Sequence, residues 1–427
     1  MSHASLINEL TRTIAASLAD DRVTRHKNDE AAPDLDAEKE LARIAAATAL
    51  TQLRSSSSSL VMFMNGKSDH DVIDEAIARV LGLGRLEPLL QDENISDIHI
   101  RGDAPVWVKL RDGSREERPA IVDSDAELIE LIRKIATRMS RNEQRFDPAN
   151  PQLNLQLPDG SRLFAAMEIS MRPTLVIRRH RFEMSSLLDL AHRDMMSMEI
   201  AAFLAAAVRA RRNIIIAGGT GTGKTTLLRA LLNEVGREER IVTIEDAYEL
   251  GLEHFEDLHP NYDSLQARPA NVEGHGEITV ADLTKMALRM DPDRVIVGEV
   301  RGAEAFPMLL AMSQGNNGSM CTLHADSSRS VFPKLAAYVS MASSGVPTET
   351  TNLLIASAVH LVVHIEIFDG KRVLSSIREV VDADGASIIS NEIYDRQSHL
   401  PAFAALRSTT SELLRQHGFA VRTGVAA

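Results

Sequence analysis

The sequence predicts an α/β protein built on a mostly parallel sheet, with a smaller mixed α/β domain ahead of it. Three observations carry this. The apolar β-branched run Ile214-Ile215-Ile216-Ala217 ends in a glycine loop, after which an apolar-periodic helix begins at Leu227. Candidate strands at 213–217, 241–245, 294–298 and 319–323 alternate with helical stretches. Such alternation favours parallel strands with ligands at their carboxyl ends. Before residue 180 the period shortens to two, as in Val106, Val108 and Leu110, and the turn signals Asp112-Gly113 and Pro158-Asp159-Gly160 separate the runs. Those runs read as antiparallel hairpins.

A chain of 427 residues has length for two or more domains, and 44% hydrophobic with 25% charged residues suits a globular protein. No apolar run is long enough to span a bilayer, and the N-terminus lacks a signal arrangement. The expected location is therefore cytoplasmic, with any membrane association made through partners. A net charge of −13 argues against nucleic acid as a partner. The single cysteine, Cys321, cannot form an intrachain disulfide and reads as a small buried hydrophobe between Met320 and Thr322.

In chain order, residues 1–85 read as a helical, polar extension, with helical periodicity over 37–53 and 71–83. A joint around Asn28 to Pro33 and the serine run Ser55 to Ser59 read as linker or loop, and no chemistry is suggested there. Residues 86–180 form the mixed domain, whose helix, capped by Asp123 or Ser124, runs through Leu128, Ile129, Leu131, Ile132 and Ile135. Residues 190–405 hold the parallel sheet, and 406–427 a C-terminal helix and tail. Two short basic clusters, Arg178-Arg179-His180-Arg181 and Arg209-Ala210-Arg211-Arg212, could serve a phosphate site or an oligomer contact.

Gly218, Gly223, Lys224 and Thr225 complete the G-x-x-x-x-G-K-[ST] pattern in the strand–loop–helix setting it requires. Glycines let backbone N–H groups close in on a phosphate, and the following helix adds its free N-terminal amides. Gly218, Gly219, Thr220, Gly221, Thr222, Gly223, Lys224, Thr225 and Thr226 thus read as a cradle for ATP. Lys224 sits between the β- and γ-phosphates, and the Thr225 hydroxyl holds Mg²⁺. A dinucleotide fingerprint is excluded, because its third glycine would fall on Lys224. Hydrolysis also needs carboxylates. Ile241 to Ile244 discharges Glu245, Asp246 and Glu249 within five residues, and Arg294 to Gly298 ends on Glu299, placed to hold Mg²⁺ through water. His324 closes a third strand. By chemistry alone a lone histidine is more often a satisfied hydrogen-bonding group than a base, and no second ligand at metal spacing suggests a metal cluster.

Through these residues the chain resembles the type II/IV secretion ATPase family, the hexameric motors of secretion systems and type IV pili. The resemblance spans about residues 85–400. It rests on the Walker A loop at 218–226, an aspartate box at Glu245-Asp246-Ala247-Tyr248-Glu249-Leu250, a Walker B strand ending Gly298-Glu299-Val300-Arg301, and a histidine box ending Thr322-Leu323-His324-Ala325. Leu86-Glu87-Pro88-Leu89-Leu90, Ile95-Ser96-Asp97-Ile98 and Leu157-Pro158-Asp159-Gly160-Ser161-Arg162 look most like the CpaF branch, the tight-adherence pilus ATPases. The absence of a tetracysteine zinc module favours the same branch.

The resemblance implies a homo-hexameric ring, with ATP between a PAS-like N-terminal domain and a RecA-like domain. It implies that Glu249 orients or deprotonates the attacking water, within a box that also holds Glu245. Arg162 and Arg178 would reach from the N-terminal domain toward the γ-phosphate; by residue chemistry alone both read as surface charges on a hairpin. His324 matches the box, whereas Gly315-Asn316-Asn317-Gly318 carries asparagine where the family has its first histidine. The implied partner is an inner-membrane platform protein that assembles, or also withdraws, a pilus. Two other readings share the same core: a nucleotide-dependent gating switch and a DNA translocase.

Overall fold

The computed structural model describes residues 3–27, 33, 35–56, 68–139, 145–157, 160–179, 185–271, 273–342, 345–385, 387–398 and 402–421. It divides into two compact units, Met1–His180 and Arg181–Ala427.

The first unit opens with helices His3–Lys27, Leu35–Ser56 and Asp69–Val80. Leu6, Leu10 and Ile14 recur every fourth residue, so they share one helix face, and they bury against Ala42, Ala46, Leu50, Val72 and Ala76. The polar extension thus has a core of its own. The third helix starts on a reciprocal cap between Ser68 and Asp71. Of the expected joint only Pro33 is described, and of the serine run only Ser55 and Ser56, which end the second helix; Ser57–Ser59 lie outside the described residues.

Six strands follow: β1 (Ile95–Arg101), β2 (Val106–Leu110), β3 (Arg115–Arg118), β4 (Gln152–Gln156), β5 (Arg162–Ala166) and β6 (Thr174–Arg178). They form a sheet in the order β3-β2-β1-β6-β5-β4, antiparallel throughout. Ile98, Ile100, Val108, Leu163 and Ile177 face Leu128, Ile132 and Ile135 of helix Asp125–Met139. Ser124 caps that helix by accepting from Glu127 N, while Asp123 N donates back to Glu127. The β4–β5 turn closes with Leu157 N donating to Ser161 O; its Pro158 and Asp159 lie outside the described residues.

The second unit holds β7 (Ile214–Gly218), β8 (Ile241–Glu245), β9 (Tyr262–Gln266), β10 (Arg294–Val300), β11 (Met320–Leu323), β12 (Leu361–Phe368), β13 (Lys371–Asp384) and β14 (Ser387–Asp395). Their order is β14-β13-β12-β7-β11-β10-β8-β9. The run from β12 to β9 is parallel, as the alternation predicts. β13 and β14 extend it as antiparallel hairpins, which the sequence reading did not include. Ile214 and Ile216 face one apolar layer, with Leu204, Leu227 and Leu231. Ile215 and Ala217 face the other, with Met308, Leu335 and Ile355. A strand buried on both sides must be apolar at every position, which is why β7 shows no polar alternation. Cys321 is fully buried, and burial pushes its thiol pKa up.

Candidate functional site

The carboxyl ends of β7, β8, β10 and β11 converge. After β7 the chain enters the glycine loop, and helix Lys224–Leu232 begins on Gly223, whose φ of 97° is left-handed and suits glycine. At Gly218 a side chain is excluded for another reason: a Cβ there would collide with the Ile365 carbonyl and lie 2.8 Å from Thr222 Oγ1. The helix has no side-chain cap, whereas Ser68, Ser186, Ser197 and Thr279 cap theirs. Its first amides are therefore open to an anion.

Lys224 is buried, and its Nζ donates to Gly218 O (3.1 Å) and Gly219 O (2.8 Å). It also lies 3.3 Å from His324 Nδ1. An ammonium has no lone pair, so Nδ1 accepts and the ring proton sits on Nε2, which faces Glu299 Oε1 at 2.6 Å. Burial and the Lys224 charge lower the His324 pKa against the pull of Glu299, in keeping with this neutral form. Burial likewise lowers the Lys224 pKa, opposed by Glu299 and Glu249. The result is a chain of three side chains, Lys224–His324–Glu299, that links three strand ends.

The aspartate box forms a second layer. Thr225 Oγ1 donates to Glu249 Oε2 at 3.2 Å. Glu245 is buried, and its Oε1 accepts from the backbone N–H groups of Glu249 (2.8 Å) and Leu250 (3.0 Å). Burial raises the Glu245 pKa to about 7 despite those two donors. Its contacts hold the turn that presents Glu249. From the far side Arg229 donates to the Glu249 carbonyl. Arg301 spans Asp246 (2.6 Å) and Glu299 (3.5 Å), tying β8 to β10.

The second unit thus gathers Lys224, Thr225, Glu245, Glu249, Glu299 and His324. Arg162 and Arg178 stand opposite each other on β5 and β6 of the first unit, with Arg178 Nε 3.4 Å from Asp97 Oδ1. Arg229 was missed by the sequence reading, and Arg301 stood there only as the end of the Walker B strand, with no role. Each had a signal: Arg229 interrupts the apolar run Leu227-Leu228-Ala230-Leu231, and Arg301 lies two residues beyond Glu299, on the same side of an extended chain. One expectation is corrected. Arg209 binds Glu234 (2.7 Å) and the His417 carbonyl, and Arg211 binds Asp293 and the Asn317 carbonyl. These arginines fasten segments at the start of β7, the end away from the loop, so their cluster is not a phosphate site. Of the other cluster, Arg179 bonds Asp92 O, and His180 and Arg181 lie outside the described residues. Gly315-Asn316-Asn317-Gly318 precedes β11 and His324 follows it, so the two halves of the histidine box lie at opposite ends of one strand.

The residues fit a magnesium-bound nucleoside triphosphate. Uncapped amides and Lys224 suit phosphates, and the Thr225 hydroxyl with the Glu299 carboxylate offers oxygen donors for a hard cation. Fold and site together define a phosphate-loop protein of the parallel α/β class. More specifically, the chain belongs to the type II/IV secretion system protein family, whose model matches residues 80–420. A putative conjugal transfer protein of Mycobacterium tuberculosis is 36% identical over 314 residues, 71% of this chain and 86% of the relative. Type IV secretion system protein VirB11 of Brucella suis is 29% identical over 342 residues, 72% of this chain and 92% of the relative. Among solved structures, the Legionella pneumophila ATPase DotB shares the fold at 20% identity, with a TM-score of 0.51 over 71% of this chain and 80% of that one. The pilus retraction motor PilT with bound ADP does so at 19% identity, with a TM-score of 0.51 over 68% of this chain and 81% of that one.

Proposed function

We propose that this protein is a Mg²⁺-dependent ATPase that works as a cytoplasmic homo-hexamer and powers a tight-adherence or type IV-like pilus, or a related secretion machine. Its partner is an inner-membrane platform protein; its stroke serves assembly, or assembly and retraction. The reading takes residues 1–85 as the helical extension, 86–180 as the PAS-like domain, 190–405 as the RecA-like domain and 406–427 as the C-terminal helix and tail. The observation that carries it is the convergence of Lys224, Thr225, Glu249, Glu299 and His324 at four strand ends.

Bound Mg-ATP supplies the phosphoanhydride and the cation that spreads its charge. Lys224, whose Nζ now sits on two loop carbonyls, would hold phosphate oxygens there. Thr225 and Glu299 would hold the cation. Glu249 orients or deprotonates the attacking water, held by Glu245 and Arg229. Arg162 and Arg178 act on the γ-phosphate.

The conjugal-transfer name of the mycobacterial relative supports a second reading, DNA transport on the same core. One experiment separates the readings: phosphate release by the purified ring with and without Mg²⁺, DNA and its membrane partner, alongside Lys224→Ala. Mg²⁺-dependent release that DNA leaves unchanged and Lys224→Ala abolishes is expected. Stimulation by DNA would move the assignment to a translocase. Nucleotide binding without release, even with the membrane partner, would make it a gating switch.

A further inference from the structure

Gly223 is crowded from one side by a residue far along the chain. A Cβ on Gly223 would lie 3.4 Å from Arg372 Cδ and 3.9 Å from Met195 Cε. The sheet, and no local sequence, puts Arg372 there. β12 pairs with β7 so that Ile365 stands opposite Gly218, and β13 folds back so that Arg372 stands opposite Ile367. Two contacts fix the returning strand against the corner before the Met198–Arg209 helix: Leu374 N donates to Met195 O at 2.8 Å, and Lys371 Nζ pairs with Asp194 at 3.2 Å.

The Arg372 head is different from its neighbours. On β13, Lys371 has Asp194 and Arg378 has Glu392 at 2.8 Å. Arg372 is exposed, and among the described residues no hydrogen bond or ion pair is recorded for its guanidinium. Its stem rests against Gly223, where the Lys224–Leu232 helix begins without a side-chain cap. A guanidinium on a stem anchored at an uncapped helix start is within a side chain's reach of an anion held there, and it binds phosphate oxygens in a two-pronged geometry.

We propose that Arg372 is a nucleotide-binding residue, which lays its guanidinium on the phosphate chain of the nucleotide held by the 218–226 loop of the same subunit. The inference rests on the reading of that loop as a nucleotide site. It adds a cation to the site from the β12–β13 hairpin, outside the loop, both boxes and the Walker B strand.

The test is binding of ADP and of inorganic pyrophosphate to the full-length protein, its Lys224→Ala variant, and Arg372→Ala and Arg372→Lys, with melting curves on all four. Loss of one charge-assisted contact weakens binding about tenfold or more. Arg372→Ala should therefore raise both dissociation constants by that factor at an unchanged melting temperature. Arg372→Lys should recover only part, because an ammonium keeps the charge but not the fork. Wild-type ADP affinity in Arg372→Ala overturns the proposal. So does weaker ADP with unchanged pyrophosphate, which would place the contact on the base or ribose. If Lys224→Ala binds ADP as tightly as the wild type, the reading of the loop fails and takes this inference with it.

Discussion

Glu249→Gln isolates the chemical step. The residue is fixed at three points: its N–H donates to Glu245, its carbonyl accepts from Arg229, and its Oε2 lies 3.2 Å from Thr225 Oγ1. Glutamine keeps the two backbone contacts and still offers Thr225 a carbonyl oxygen. Only basicity is lost. A positioned general base contributes about 10²–10⁴-fold, which corresponds to roughly 3–5 kcal/mol of barrier. Phosphate release should therefore fall by that factor, while ADP affinity stays within about threefold, since the hydrogen bond to Thr225 survives. Steady-state phosphate release, an ADP titration and a melting curve make the comparison. Wild-type turnover in the variant would refute the role of Glu249. An equal loss of binding and turnover would also refute it, because the residue would then act on the ground state.

Three further outcomes follow from the same contacts. Gly218→Ala drives a methyl into the Ile365 carbonyl, so the loop must shift; ADP binding should be lost with about 1–3 kcal/mol of stability, read by titration and urea unfolding. Asn213→Ala removes a buried side chain that donates to Met312 O (2.8 Å) and Ala358 O (2.6 Å) and accepts from Gly318 N (2.8 Å) and Ser319 N (3.1 Å). It should cost about 3 kcal/mol or more in urea unfolding, because several buried backbone groups lose their partner. Glu245→Gln fixes the neutral form of a carboxyl that burial raises from 4.5 to about 7. Between those values the unfolded wild-type chain has released a proton that the folded chain keeps. Wild-type stability thus falls as pH rises through that window and levels off above it. The variant should lack that slope, so its stability relative to wild type should increase from pH 5 to pH 8. Parallel urea curves at the two pH values would contradict the burial argument.

Much of the site was legible because its parts are local. The loop residues Gly218 to Thr226 are contiguous, and Glu245 and Glu299 each terminate an apolar run that could only be a buried strand. The first unit was legible in the same way: alternation at Val106 and Val108 and the turn at Asp112-Gly113 specify a hairpin. The helical extension was legible as helix and not as a packed core. Leu6, Leu10 and Ile14 share a face by spacing, but their partners on the second and third helices cannot be read from that spacing.

The sequence by itself determined the phosphate loop, the class of the sheet and the acids at its strand ends, because each depends on residues within one turn or one strand. Tertiary structure alone decided that Lys224 meets His324, that Arg301 joins β8 to β10, and that the Arg372 stem lies against Gly223. Periodicity says which face of a strand a side chain takes. Strand order decides which neighbour it meets there, and β7 lies between β12 and β11, neither of which is next to it in sequence.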